Sequence, residues 1–306
     1  MNSYIVLATK GRAAELRTLL DQLAQQTFPA KLAVVVGTST SDIQGLDRHP
    51  LTVAGGARVM VSDRAGLTTQ RNVGIEAVLE MHPEAAFDNS FMVFFDDDFR
   101  PAGDWLERCA ESFKDSSIVG VTGQVLADGA RGAAIGEDDA MRYIRGERTR
   151  QAHWSSGLES RDVRSLYGCN MAFRGTAITR FRFDEALPLY GWQEDLDLSA
   201  QVRQLGRTIY APGPRGVHLG VKGGRISGLR FGYSQIANPI YLWRKGTMSP
   251  AVMTRFLVRA LGANVLRTLS RDARADYVGR LRGNIRAVSD LIRGDCHPTR
   301  IETLSG

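Results

Sequence analysis

The sequence is poor in cysteine. Cys109, Cys169 and Cys296 are the only three in 306 residues, and they lie far apart with no CxxC or Cys/His spacing. That excludes a zinc cluster or a disulfide framework as the organising device, and an odd count suits a reducing compartment. Long apolar runs are also missing. No segment approaches a membrane span, and the apolar part of MNSYIVLATKGR is too short for a secretory signal, so a soluble, cytoplasmic protein is expected. There is no GxGxxG after the first candidate strand, which removes the usual dinucleotide cradle of a dehydrogenase. Internal repeats and low-complexity tracts are absent. Acids are missing from Leu198 through Arg271, a stretch that carries twelve basic residues, Lys222 and Arg225 among them. In a chain of net charge +6, such a one-signed block points to an anionic partner: a phosphorylated ligand, a membrane surface or nucleic acid. No recognisable RNA motif or aromatic cluster accompanies it, so nucleic acid is not expected.

What is present is a regular alternation. With 43% hydrophobic residues the chain can bury a sizeable core. YIVLAT, KLAVVVG, ARVMVS and FMVFF read as buried strands. AAELRTLLDQLAQQ, with Leu16, Leu19, Leu20 and Leu23 in one stripe, and LTTQRNVGIEAVLEM read as helices between them. This order predicts an α/β fold with a doubly wound, mostly parallel sheet. SIVGVTGQV and YGCNMAFRG supply further strands, while residues 128–165 show little periodicity and read as an irregular insertion. EDLDLSAQVRQLG reads as a helix with acids in its first turn and glycine at its stop. A glycine-rich basic segment then leads to a helical region from about residue 250 to 293.

The FMVFF strand runs into Asp96, Asp97 and Asp98. Adjacent carboxylates repel and lose hydration, so removing one from the metal-free protein is expected to relieve it slightly. Ligands of doubly wound sheets bind beyond the carboxyl ends of the strands, and this run sits at such an end. Either the run is a solvated turn, or a divalent cation belongs there.

In order, the chain carries a strand ending in AT, a strand followed by TSTSD, then GLTTQRNVG, FFDDDFRP, YGCNMAFRG, GWQEDLDLS and GVHL. Together these resemble the inverting family 2 glycosyltransferases of the GT-A fold, over about residues 4–218. The resemblance implies sugar transfer from a nucleoside-diphosphate sugar, with Mn2+ or Mg2+ as cofactor. It places Asp96 on the nucleotide with Asp97 assisting, and Asp98 and His218 on the metal. It makes Asp195 the general base for the acceptor hydroxyl. Glu194 would shape the pocket or bind acceptor, Trp192 would stack on a sugar, and Asp197 would point elsewhere. Thr9, Arg12, Thr38, Arg71, Gly168 and Asn170 are assigned to the nucleotide and donor sugar. His49, His82, His153 and His297 receive no role. One departure stands out: the aspartates that usually meet uridine are Gly37 and Thr38 here, with only Asp42 downstream. UDP is favoured over GDP or dTDP.

The implied organisation is a catalytic domain over 1–248, with a nucleotide half to about 127 and an acceptor half from 128, followed by a basic helical region over 249–306. In that last region Arg255, Arg259, Arg280 and Arg286 interleave with apolar stripes. Docking at the inner face of the plasma membrane, beside a lipid-linked or glycan acceptor in surface-polysaccharide or glycolipid assembly, is one expectation. Packing on the catalytic domain is the other. Two other classes remain open: a sugar nucleotidyltransferase, and a non-catalytic sugar or nucleic-acid binder on the same scaffold.

Overall fold

The structure, a computed structural model, describes all residues except 131, 222, 224–226, 273 and 305–306. Lys222 and Arg225 of the basic block therefore lie outside the described residues. The chain runs β1 (Asn2–Ala8), α1 (Ala13–Ala24), β2 (Leu32–Gly37), α2 (Pro50–Val53), β3 (Ala57–Val61), α3 (Leu67–Met81), β4 (Ser90–Asp96) and β5 (Phe99–Pro101). It continues α4 (Trp105–Ser112), β6 (Ile118–Asp128), α5 (Glu137–Ile144), β7 (Arg161–Asp162), β8 (Asn170–Arg174), α6 (Gly175–Arg180), α7 (Glu194–Val202) and β9 (Arg207–His218). Three helices close it: α8 (Gly228–Lys245), α9 (Pro250–Leu269) and α10 (Tyr277–Ile292).

The sheet order is β3-β2-β1-β4-β8-β6-β9-β5, with β7 on β9. The first four strands are parallel, as the strand–helix alternation requires. β8 enters antiparallel between β4 and β6, which therefore point the same way, and β6 pairs parallel with β9. The inner strands are buried along nearly their whole length because helices cover both faces. α1 and α4 close one core with Leu16, Leu20, Phe95 and Trp105. α3, α6 and α7 close the other with Ile75, Phe94, Ile178 and Leu198.

This topology gathers the carboxyl ends of β4, β6 and β9 at one edge. Register does the rest: Ala8 pairs with Asp96, Phe95 with Asn170, and Asp128 with His218.

Two expectations from the sequence need correction. Residues 128–165 are not wholly irregular, because α5 forms there with Glu137, Asp138 and Asp139 in its first turn. Its single fully buried residue, Ala140, leaves no apolar stripe to read. It is fastened instead by the buried Arg100, whose guanidinium donates to Glu137 at 2.6 Å. The second correction is α8, which occupies most of the glycine-rich basic segment. Ser227 caps it, and glycines of both helices serve packing: a Cβ on Gly232 of α8 would run into the Arg280 carbonyl, and one on Gly283 of α10 into the Leu229 carbonyl. α8 and α10 thus meet backbone to backbone. Tyr233, Ile236 and Ile240 of α8 form a third core with α9 and α10, crossed by a buried Asn264–Asn284 hydrogen bond of 2.7 Å.

Candidate active site

At the carboxyl edge of the sheet lies a cavity of about 1350 Å³. Its lining includes Thr9, Arg12, Asp96, Asp97, Asp98, Gly168, Trp192, Glu194, Asp195 and His218, so most of the residues singled out in the sequence converge on it. Thr38, Arg71 and Asn170 do not line it. Each is tied up behind the wall. The Thr38 hydroxyl donates to Asp42 at 2.6 Å, and Asn170 accepts from Thr122 at 2.8 Å. Asp42 itself is buried, accepting also from the Gly11 N–H at 2.7 Å, so it braces the two loops after β1 and β2.

Arg71 is the largest departure from expectation. It projects from α3 into the interior and is 1% exposed. Its guanidinium donates to Glu194 at 2.6 Å, to Asp96 at 2.9 Å and to the Gly168 carbonyl at 2.8 Å. A buried cation must be paired, and this one joins the ends of β4, β8 and α7. Burial pushes the Glu194 carboxyl up to about 8 even against Arg71. Asp97 is likewise pushed up by burial, to about 7, while it accepts from Arg12 at 2.8 Å and from the Thr9 hydroxyl at 2.8 Å.

Asp195 sits beside this network in a different state. It is half-buried, its carboxylate accepts from the Gly168 N–H at 3.1 Å and from the Leu196 N–H at 2.8 Å, and burial raises its pKa. Glycine at 168 permits this approach, since a Cβ there would lie 2.9 Å from Glu194 Oε1. The two acids are delivered by a strained lead-in: Leu189, Gly191 and Gln193 all hold positive φ, of 59°, 63° and 73°. Gln193 was missed in the sequence. It is 7% exposed, lines the cavity, and both its amide oxygen and nitrogen lack a partner, a state suited to a substrate hydroxyl. Asp197 turns away, receiving Thr247 at 2.7 Å and Lys245 at 2.7 Å.

Asp96, Asp98 and His218 each offer a ligand atom within 4.8 Å of the others. Asp96, assigned from the sequence to the nucleotide, thus joins the two residues assigned to the metal. The set fits a divalent cation. Asp98 Oδ1 is buried without a hydrogen-bond partner and lies 3.3 Å from His218 Nε2. His218 Nδ1 lies 3.0 Å from Asp128 Oδ1, which leaves Nε2 directed at the aspartates. Burial disfavours the imidazolium, but the neighbouring carboxylates of Asp128 and Asp98 outweigh it and carry His218 up to about 10. Metal binding must displace that proton.

Asp128 went unrecognised in the sequence because it ends a strand that ran into an apparently irregular segment. It also accepts from the Tyr167 hydroxyl at 2.8 Å and lies 3.3 Å from His153 Nε2, so His153 acquires a place as well. Asp128→Ala is expected to weaken Mn2+ affinity by roughly 10- to 100-fold, read from free Mn2+ by electron paramagnetic resonance, with the far-ultraviolet circular dichroism unchanged. Unaltered Mn2+ affinity would remove Asp128 from the account.

A carboxylate pair and histidine at the strand ends, an acid pair in a helix N-terminus and one cavity between them define a nucleotide-sugar glycosyltransferase. The chain belongs to glycosyl transferase family 2, whose family model matches residues 4–184. Among solved structures it is similar to TarS 1–349 of S. aureus in complex with UDP-GlcNAc, at 15% identity and a TM-score of 0.60, covering 99% of this chain and 84% of that one. The same protein with UDP aligns at 14% identity and a TM-score of 0.58, covering 96% and 83%. The mannosyltransferase PcManGT of Pyrobaculum calidifontis, in complex with GDP-Man and Mn2+, aligns at 15% identity and 0.55, covering 95% and 86%. At this identity the likeness is one of fold. No curated protein matches the chain.

Proposed function

We propose that the protein catalyses inverting, metal-dependent transfer of a sugar from a nucleoside-diphosphate sugar to a hydroxyl acceptor, with Asp195 as general base. The observation that carries this reading is that Asp195 and the Asp96–Asp98–His218 cluster open into one cavity. Held by those three residues, a divalent ion would neutralise the leaving diphosphate. The imidazole in the donor set favours manganese over magnesium. Thr9 and Arg12 hold Asp97 in place beneath the nucleotide. Asp195 takes the proton of the attacking hydroxyl; Glu194, fixed on Arg71, keeps that carboxylate in position. The indole of Trp192, half-buried against Phe231 and Phe256, supplies an apolar face for a sugar ring. The reading takes residues 1–248 as the catalytic domain, with nucleotide and acceptor halves meeting near 127, and a uridine nucleotide as the first donor to try.

The test is turnover. Incubation with Mn2+ and a panel of UDP-, GDP- and dTDP-sugars should release nucleoside diphosphate. Consumption of a nucleoside triphosphate with pyrophosphate release would instead mark a nucleotidyltransferase, and no turnover with any donor would mark a binder.

We read the acceptor as one of surface-polysaccharide or glycolipid assembly on the cytoplasmic side; Cys109, Cys169 and Cys296 are all free and buried. No helix among the described residues is long and apolar enough to cross a membrane. Peripheral attachment through α9 and α10 is supported by exposed Leu266, Leu269, Ile285 and Ile292 rather than by the arginines of these helices. Arg255 and Arg259 line the cavity, Arg280 stacks on Phe231 and Arg286 pairs with Asp290 at 3.2 Å. Phospholipid vesicles are expected to co-sediment the protein, and Leu269→Asn with Ile292→Asn should abolish that. Absence of binding to any vesicle would leave both helices as packing elements.

A further inference from the structure

The cavity has two electrostatic ends. All the acids that line it belong to the floor: Asp96, Asp97, Asp98, Glu194 and Asp195. The same cavity is also lined by Arg164, Arg203, Arg230, Arg255 and Arg259, which come from the segment before β8, the end of α7, α8 and α9. Among the described residues Arg164, Arg203, Arg255 and Arg259 have no carboxylate partner, and all four are exposed. For Arg203, Arg255 and Arg259 the sequence supplies no neighbouring acid, since none occurs between Leu198 and Arg271.

Their placement is not what helix energetics favours. Arg255 and Arg259 stand one turn apart on the same face of α9, where like charges repel. They lie in the half of that helix nearer its positive end, where a cation gains nothing from the dipole. Arg203 follows the last turn of α7, eight residues beyond Asp195, or roughly 12 Å along the axis. Unpaired arginines that repel one another at a cavity wall are explained by an anion that sits between them.

The cavity volume also exceeds that of a typical small-molecule site, so it has room beyond the donor. Trp192 and Phe256, whose rings meet edge to face, line the same cavity as the arginines.

Resting on the transferase reading above, we infer that the acceptor is a phosphate-bearing molecule. Its phosphates are held by Arg203, Arg255 and Arg259 while its hydroxyl reaches Asp195. A phosphate monoester carries nearly two negative charges and three acceptor oxygens at neutral pH, so it can engage more than one guanidinium fork at once, whereas a carboxylate with one charge and two oxygens is matched by a single fork.

The experiment uses the full chain with Mn2+ and UDP or GDP already bound, so that the donor site is filled, and titrates small acceptor probes by calorimetry. Glucose 1,6-bisphosphate is expected to bind at least ~10-fold more tightly than glucarate, its dicarboxylate counterpart, and far more tightly than glucose. Added salt should weaken the bisphosphate most. In the Arg203→Gln, Arg255→Gln, Arg259→Gln variant the bisphosphate should lose at least ~10-fold, while nucleotide affinity stays within about 2-fold. These positions are exposed, and an unchanged melting curve confirms the fold. Equal binding of bisphosphate and glucarate, or an unaltered bisphosphate affinity in the variant, overturns the inference. So does a parallel loss of nucleotide affinity, which would assign the arginines to the donor diphosphate. Failure of the transferase reading looks different: Mn2+ and nucleotide would not bind together in the first place.

Discussion

Asp195→Asn is expected to lower turnover at least ~100-fold while leaving nucleotide affinity nearly unchanged, because the amide keeps the shape of the carboxylate but cannot take the acceptor's proton. Its two backbone hydrogen bonds, from Gly168 and Leu196, can still be accepted on the amide side by one oxygen only, so some positional loss adds to the chemical one. Glu194→Gln is the informative control. The Glu194 carboxyl is pushed up to about 8 and receives Arg71 on Oε1. Glutamine reproduces its shape and keeps an acceptor oxygen for Arg71. The variant should therefore retain activity within about 10-fold at pH 7 and diverge from the parent only as pH rises past 8. Reversed results, with Glu194→Gln inactive and Asp195→Asn active, would move the base one residue upstream.

Asp98→Ala carries the second large effect. Asp98 contributes the buried oxygen that no protein donor satisfies, and its other oxygen accepts from the Val221 N–H at 2.8 Å. Losing it should weaken Mn2+ binding at least ~100-fold, above the range typical of indirect partners, and abolish Mn2+-dependent nucleotide binding. Full activity of Asp98→Ala in excess chelator would eliminate the metal from the account. The stability effect reverses the expectation from charge repulsion alone. Burial works to raise the Asp98 carboxyl, yet His218, Arg12 and the Val221 N–H outweigh it and hold it below its ordinary value. A depressed folded-state pKa means stability present above the unfolded value and lost as pH falls through the folded one. Asp98→Ala should thus lower the melting temperature at pH 7, and the deficit should shrink below about pH 4.

The sequence made the strand ends legible because apolar runs ended abruptly in charge: FMVFF in three aspartates, GVH after a buried strand. Asp195 was legible because the helix of α7 starts with acids. Arg71 was misplaced for a physical reason. Its helix has buried positions on most sides, Thr68, Gln70, Ile75 and Val78 among them, so no polar face marked which way the guanidinium would go. Asp128 and His153 gain meaning only from β6 lying beside β9, a pairing across 90 residues that no local pattern announces. α8 was hidden by the very glycines that let α10 approach it.

The central claim is a single displacement driven by Asp195 at a metal-bound nucleotide sugar. It is tested most directly by the anomeric configuration of the product, followed by proton NMR from the first turnovers with a donor of defined anomeric configuration. The account predicts a glycosidic bond of opposite configuration, formed only with Mn2+ or Mg2+ present. A product that retains the donor's configuration would contradict it.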